Sequence, residues 1–96
     1  AAELVMVESW LWRVASMVDQ DVGDIGIEAS ILKLKATDLA MRMATDAVQF
    51  LGGYGYCKDY RVERLMRDAK ITQIWEGTNQ VHRQLIGRSF LKKEKR

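Results

Sequence analysis

Apolar residues recur at helical spacing along most of this chain, and that periodicity restricts the fold more than any other feature. Residues three and four positions apart lie on the same side of an α-helix, so a segment from about 2 to 19 is predicted to be an amphipathic helix. Its apolar face carries Leu4, Val7, Leu11, Val14 and Val18. The sequence contains no proline and no strand-like alternation of apolar and polar residues. These features together predict an all-α fold.

Three further helices are predicted from the same periodicity and from the stop signals between them. The second covers about 25 to 50, with Asp24 as its N-cap, the third covers about 60 to 70, and the fourth covers about 77 to 92. Four helices joined by short loops most simply form an antiparallel four-helix bundle. The length suits one such domain, spanning residues 1–96.

The third and fourth predicted helices carry further expectations. Their inward faces are predicted to consist of Val62, Leu65, Met66 and Ala69 on the third helix and Val81, Leu85, Ile86, Ser89 and Phe90 on the fourth. The charged residues expected to form ion pairs on the third helix are Arg64, Arg67, Asp68 and Lys70.

The net charge of +2 does not indicate a nucleic-acid partner, because four of the fifteen basic residues lie in the last five positions. Residues 92–96 are therefore predicted to form a frayed basic tail. The single cysteine, Cys57, leaves no intrachain disulfide and fits a reducing compartment. No apolar run of about 18 residues is present to span a membrane. The chain begins within a helical pattern and without methionine, so we expect it to be a piece of a longer chain.

Residues 49–56 interleave three glycines with aromatic side chains, a pattern that suits neither a regular helix nor a strand. One interpretation is a helix stop followed by a turn, with Gly52 or Gly53 as the left-handed cap. The other is a ligand-binding loop, since glycine allows a ligand to approach the main chain closely. The segment is not a dinucleotide-binding fingerprint, because no strand precedes it.

Glu76 lies between Trp75 and Gly77 at the predicted start of the last helix. The helix macrodipole there favours the charged carboxylate, whereas an apolar neighbour removes water and disfavours it. A carboxylate under both influences can act as a general base. The alternative is an ordinary acidic residue in the first turn of a helix. The residues alone leave both interpretations open.

Three segments occur in an order and spacing typical of one enzyme family. They are DAVQFLGGYGY at Asp46–Tyr56, VERLMRDAKITQI at Val62–Ile74 and EGTNQ at Glu76–Gln80. From about Lys33 to Leu91 the chain thus resembles the C-terminal helical domain of acyl-CoA dehydrogenases of the short-chain, medium-chain or short branched-chain type. Three linked motifs in this order form a specific signal.

The resemblance implies a three-domain subunit of which this chain is the C-terminal part. It implies FAD-dependent oxidation of the Cα–Cβ bond of an acyl-CoA thioester to a trans-2-enoyl-CoA, with an electron-transferring flavoprotein as electron acceptor. It further implies a homodimer or homotetramer in the bacterial cytoplasm or the mitochondrial matrix. An acyl-CoA oxidase-like enzyme and a non-catalytic helical assembly module are the alternatives.

Carried over residue by residue, the resemblance makes Glu76 the catalytic base and its main-chain N–H a donor to the thioester carbonyl. Trp75 and Gly77 correspond to substrate-binding positions, and Trp75 stands where tyrosine is commoner. His82 stands where glutamine is common and is expected at the surface or at an interface. No metal site is implied. The positions expected to bind FAD, the first three of them from a neighbouring subunit, are Gln49, Gly52, Gly53, Thr78, Asn79 and Gln80.

Overall fold

The structure is a computed structural model that describes residues 1–94, with side chains described as far as Lys92. Its helices are α1 (Ala2–Asp19), α2 (Gly26–Leu51), α3 (Gly53–Tyr56), α4 (Val62–Thr72) and α5 (Asn79–Glu94). Residues 1–94 contain no strand, which confirms the predicted all-α class. The four long helices lie within two residues of their predicted positions, and α3 is an additional helical turn.

The C-terminal end of the chain continues α5 beyond its predicted limit. The helix runs to Glu94, two residues past the expected end at 92. The predicted basic tail therefore overlaps the last turn of α5, and its final residues, Lys95 and Arg96, lie outside the described residues. None of the helices within residues 1–94 combines the length and apolar character needed to cross a membrane.

Within this all-α fold, the chain divides into two compact units. Unit one comprises Ala1–Ala36 and Asn79–Arg96, and unit two comprises Thr37–Thr78. Helix α2 is continuous and contributes its first part to unit one and its remainder to unit two.

In unit one, α1 is joined to the start of α2 by an indole hydrogen bond. The Nε1–H of Trp10 donates to the main-chain oxygen of Glu28 over 3.0 Å. Val14 of α1 and Leu34 of α2 are buried and supply apolar core to this unit. At the head of α2, the Asp24 carboxylate accepts the Gly26 N–H over 2.9 Å. Asp24 thus satisfies a main-chain donor as a capping residue does, although the helix begins one residue later than predicted.

Two polar side-chain contacts join α2 to α5 within unit one. The Nδ1 of His82 lies 3.0 Å from the Oγ of the buried Ser30. The Nζ of Lys33 donates to the Oδ1 of Asn79 over 2.5 Å, and the Asn79 side chain is only 2% exposed. Buried polar groups require such partners, since leaving one unpaired costs about 1–3 kcal/mol. His82 is half-buried against α2, within the surface or interface placement expected from the sequence.

Several residues of the predicted inward faces are exposed. Leu65 of α4 is 52% exposed, and the exposed α5 residues that the periodicity placed inside are Val81, Leu85 and Phe90. These placements were wrong because helical periodicity identifies an apolar face but not the element that covers it. These four residues are 42–57% exposed. Val62, Met66, Ala69, Ile86 and Ser89 are partly buried, as predicted.

Ion pairs form between side chains of α4, largely as predicted. The Arg67 guanidinium contacts both carboxylate oxygens of Glu63, at 2.8 and 3.2 Å. The Nε of Arg64 lies 3.8 Å from the Oδ2 of Asp68. Both pairs are four residues apart and therefore lie on one side of the helix.

The carboxyl group of Glu63 is expected to titrate at lower pH than an ordinary glutamate. The hydrogen bond from Arg67 is the main cause that lowers its pKa below 4.5, and the charges of Arg67, Lys58 and Arg64 add to it. A pKa lowered by folding means that the pair stabilises α4 above about pH 4.5, and that this stabilisation is lost as the pH falls through the folded-state pKa. Following the side-chain carboxyl by NMR during an acid titration measures the shift.

Two variants provide the comparison for that titration. Arg67→Gln removes the guanidinium and should return the Glu63 pKa towards 4.5. Arg88→Gln removes a charge from α5 and should leave the titration of Glu63 unchanged. An ordinary Glu63 pKa in the unsubstituted protein would contradict the two-point contact with Arg67.

Candidate functional site

The first candidate loop follows α2 and contains a helical turn instead of the open turn that its sequence favours. After Gly52 the chain forms α3, and the Gly55 N–H donates to the Gly52 oxygen over 2.9 Å. Gly55 is buried, and a Cβ atom placed on it would lie 2.5 Å from the Val48 oxygen. The third glycine therefore allows α3 to fold back against the end of α2. The Tyr54 ring packs edge-on against Tyr60, with 6.1 Å between the ring centroids.

Gly52 ends α2 with a positive φ, but not as the left-handed cap that was predicted. Its φ of 63° is combined with a ψ of −142°, whereas a left-handed cap has a positive ψ. Glycine adopts this conformation readily because it has no Cβ. An added Cβ on Gly52 or Gly53 would meet no atom within 4 Å. The main chain is therefore open here, as the approach of a cofactor requires, and the adjacent Gln49 is exposed.

The second candidate loop leaves α4 through one further tight turn. The N–H groups of Ile74 and Trp75 both donate to the Ile71 oxygen over 3.0 Å. The chain then turns at Glu76 with φ 55° and at Gly77 with φ 83°. Two successive residues of positive φ cannot continue a right-handed helix, which is why α5 begins only at Asn79.

Glu76 thus lies three residues before α5, outside the first turn in which the sequence placed it. The interpretation of Glu76 as an ordinary first-turn acid is wrong for that reason: the first turn of α5 contains no acidic residue. A residue other than glycine held at positive φ costs on the order of 1–3 kcal/mol, and such residues cluster at functional sites. Asp21, in the turn after α1, has a similar φ of 52°, so it is the conformation together with the EGTNQ motif that distinguishes Glu76.

The predicted site residues differ in their access to solvent. Glu76, Gly77 and Gln80 are exposed, Trp75 is 55% exposed, and Thr78 is half-buried. The exposed carboxylate and indole can contact a substrate that approaches this loop. Of the predicted site residues, Asn79 and Gln80 belong to unit one. Those that belong to unit two are Gln49, Gly52, Gly53, Trp75, Glu76, Gly77 and Thr78.

Asn79 departs from the other predicted cofactor-binding residues because its side chain faces the interior of unit one. The amide oxygen accepts the hydrogen bond from Lys33 and the side chain is almost fully covered. Asn79 can therefore offer an outside group mainly its main chain, at the start of a helix of 16 residues. Main-chain N–H groups at a helix start are suitable donors to anionic oxygens.

Sequence reasoning missed the side chains that hold the ends of the second loop. In unit two, the Gln73 Nε2 donates to the Asp38 Oδ1 over 2.9 Å. In unit one, the corresponding contact is Lys33 to Asn79. The partners are 35 and 46 residues apart, so no local motif connects them. The middle of α2 carries Lys33, Lys35, Asp38 and Arg42, so charge alone did not distinguish Lys33 and Asp38 from their neighbours.

Comparison with known proteins supports the resemblance seen in the motifs. A family model described as acyl-CoA dehydrogenase, C-terminal domain, matches residues 1–91. Cyclohexane-1-carbonyl-CoA dehydrogenase of Geobacter metallireducens is 47% identical over 92 residues, which are 96% of this chain and 24% of that protein.

Two solved structures share the fold. Butyryl-CoA dehydrogenase from Megasphaera elsdenii has a TM-score of 0.85 and 42% identity, over 94% of this chain and 23% of that one. A chain from a structure of the electron transferring flavoprotein of Acidaminococcus fermentans has a TM-score of 0.86 and 43% identity, over 95% of this chain and 24% of that one. The chain therefore spans about a quarter of the length of these relatives, and the match includes α1, beyond the motifs.

Proposed function

The chain belongs to the acyl-CoA dehydrogenase family, whose C-terminal domain it matches, and we propose that it provides the catalytic base of a flavin-dependent acyl-CoA dehydrogenase. The complete enzyme would convert an acyl-CoA thioester to the trans-2-enoyl-CoA. The observation that carries the proposal is the placement of Glu76, held at positive φ on an exposed loop inside the EGTNQ segment. Glu76 is exposed as a residue and lies outside both α4 and α5.

Glu76 would remove the proton from the carbon next to the thioester carbonyl. That proton is only weakly acidic, so the negative charge that develops on the carbonyl oxygen has to be stabilised. The main-chain N–H of Glu76 is the donor that this chain offers, and a fixed donor at the point of developing charge is an effective form of catalysis. A substrate that covers the exposed loop would also exclude water and so strengthen these interactions.

Bound FAD would supply the acceptor for the β-hydrogen, which would leave as a hydride. The residues proposed to hold it include the hydroxyl of Thr78, the main chain of Asn79 and the side chain of Gln80. The open main chain at Gly52 and Gly53 supports a second contact region, which we assign with Gln49 to the FAD of a neighbouring subunit. Trp75 and Gly77 are assigned to the substrate: the exposed indole would form part of the acyl-chain wall, and the glycine would leave room for the thioester.

The remaining assignments concern the assembly and its partners. Exposed apolar side chains on α1 support burial against further domains or a second subunit, as in a homodimer or homotetramer; they are Leu4, Val5, Met6, Leu11, Trp12 and Val18. The electron acceptor is proposed to be an electron-transferring flavoprotein. Because the relatives described above are bacterial, we propose the bacterial cytoplasm as the compartment.

The proposal predicts that the complete enzyme is yellow and that anaerobic addition of a suitable acyl-CoA bleaches its flavin absorbance. Enoyl-CoA should be formed, and reoxidation by an electron-transferring flavoprotein should be much faster than by air. The 96-residue chain alone should be colourless and inactive, since most of a flavin pocket would be supplied by other domains. A set of acyl-CoA thioesters of increasing chain length, followed by absorbance and product analysis, tests this.

Two outcomes would contradict the proposal. A complete enzyme that binds flavin but is not reduced by any acyl-CoA would exclude the dehydrogenase assignment. Reoxidation by air at the rate of turnover would instead indicate an acyl-CoA oxidase-like enzyme.

A further inference from the structure

Gln73 is the first residue after α4 and bridges two charged side chains of unit two. Its Nε2 donates to the Asp38 Oδ1 over 2.9 Å, and its Oε1 accepts from the Lys70 Nζ over 3.3 Å. An amide with an anion at its nitrogen end and a cation at its oxygen end has one strongly favoured orientation. Gln73 and Asp38 are half-buried, whereas the bond to Lys70 is exposed. The Asp38 contact is therefore the more constraining of the two.

The contact joins the end of α4 to the middle of α2. Asp38 lies on α2, 35 residues before Gln73, so the bond is tertiary and not part of a local turn. The Gln73 N–H also donates to the Lys70 oxygen over 3.1 Å, which keeps its main chain on the last turn of α4. Side chain and main chain thus fix Gln73 from two directions.

Glu76 follows Gln73 by three residues, and little freedom remains between them. The N–H groups of Ile74 and Trp75 are both bonded to the Ile71 oxygen, so the chain stays on the end of α4 until it reaches Glu76. A strained φ persists only where the surrounding structure determines it. The φ of 55° at Glu76 therefore requires that the end of α4 be held in place.

We infer that Asp38 is a positioning residue for Glu76. Asp38 acts through Gln73, by fixing the end of α4 on α2. The inference rests on the proposed function, in which Glu76 is the base. A base displaced by about 1 Å can lose on the order of 100-fold in rate without any change in its chemistry. Asp38 therefore affects the chemical step without contacting the substrate.

Asp38→Ala in the complete enzyme should lower kcat by about 10- to 100-fold while KM and the flavin content per subunit change little. Asp38→Asn retains an oxygen that can accept the Gln73 hydrogen bond and should recover most of the loss. Gln73→Ala should reproduce the loss. The loss in the double variant should be clearly smaller than the product of the two single losses, because both substitutions remove the contact between Asp38 and Gln73.

Thr45→Ala is the matched control, since Thr45 also lies on α2 and its hydroxyl donates along its own helix, to the Met41 oxygen over 2.8 Å. It should leave kcat unchanged. Steady-state kinetics, flavin content and the thermal midpoint are measured for each variant.

The inference is overturned if Asp38→Ala and Gln73→Ala leave kcat unchanged while Glu76→Gln abolishes turnover. It is also overturned if kcat falls only in proportion to lost flavin, or if the two losses multiply in the double variant. Should Asp38→Ala fail to fold, Asp38→Asn and Gln73→Ala carry the test with the same criteria. Normal turnover of Glu76→Gln would instead refute the proposed function, whatever Asp38 does.

Discussion

Glu76→Gln in the complete enzyme is expected to lower kcat by roughly 100- to 10,000-fold, the usual contribution of a positioned general base. Glutamine has nearly the same shape as glutamate but cannot accept the α-proton. Binding of FAD and of acyl-CoA should persist, because the Glu76 side chain is exposed and belongs to no core. Steady-state turnover, the flavin spectrum and acyl-CoA binding are compared between the two proteins.

Glu8→Gln is the control for this substitution. Glu8 is an exposed carboxylate of α1, outside both candidate loops, and its removal should leave turnover unchanged. Equal losses in the two variants would point to a general effect of charge. A loss of flavin from Glu76→Gln would show that the residue acts in binding and not in proton transfer.

Gly55→Ala is expected to destabilise the fold by about 3 kcal/mol, at the upper end of the range for an overfilled interior. The new Cβ would lie 2.5 Å from the Val48 oxygen and 3.0 Å from the Leu51 Cβ. The closest of these atoms belongs to the backbone of α2, so relief requires that α3 move away from the end of that helix. Urea unfolding of the complete subunit, followed by helical circular dichroism, should show a lower midpoint.

The matched control for Gly55→Ala is the same substitution at Gly87. Gly87 lies within α5, and an added Cβ would meet no atom within 4 Å. Alanine should stabilise this position by about 0.5–1 kcal/mol, because glycine loses more conformational freedom on folding. If Gly55→Ala were also neutral or stabilising, the close approach of α3 to α2 would be wrong.

Helix positions were largely predictable because they depend on local periodicity. The predicted span of α1 agrees with the structure, and the other long helices are displaced by only one or two residues. The short α3 could not be predicted, since three glycines in eight residues disfavour a helix locally. Its formation depends on contact between Gly55 and Val48, which is a matter of packing.

The burial of individual side chains was less predictable. Leu65 and Phe90 lie on apolar faces and were placed inside, yet both are exposed in the described part of the chain. His82 was expected at the surface or at an interface, and the sequence did not indicate its contact with Ser30. In each case the outcome depends on which element lies opposite, and the sequence of one helix does not contain that information.

For the candidate site, the motif residues were identified from the sequence, but their backbone conformation was not predicted. Nothing in the EGTNQ segment required Glu76 to adopt positive φ, because a glutamate before a glycine also fits the start of a helix. Asp38 and Gln73 were missed entirely, because a side-chain contact across 35 residues leaves no periodic signal.

The most direct test of proton removal by Glu76 is the rate at which flavin absorbance is lost in a single turnover, under anaerobic conditions and at saturating acyl-CoA. Saturation removes the contribution of binding, and a single turnover removes that of product release. We predict that Glu76→Gln bleaches roughly 100- to 10,000-fold more slowly than the unsubstituted enzyme. Bleaching of the two proteins at the same rate would contradict the role of Glu76 as the base.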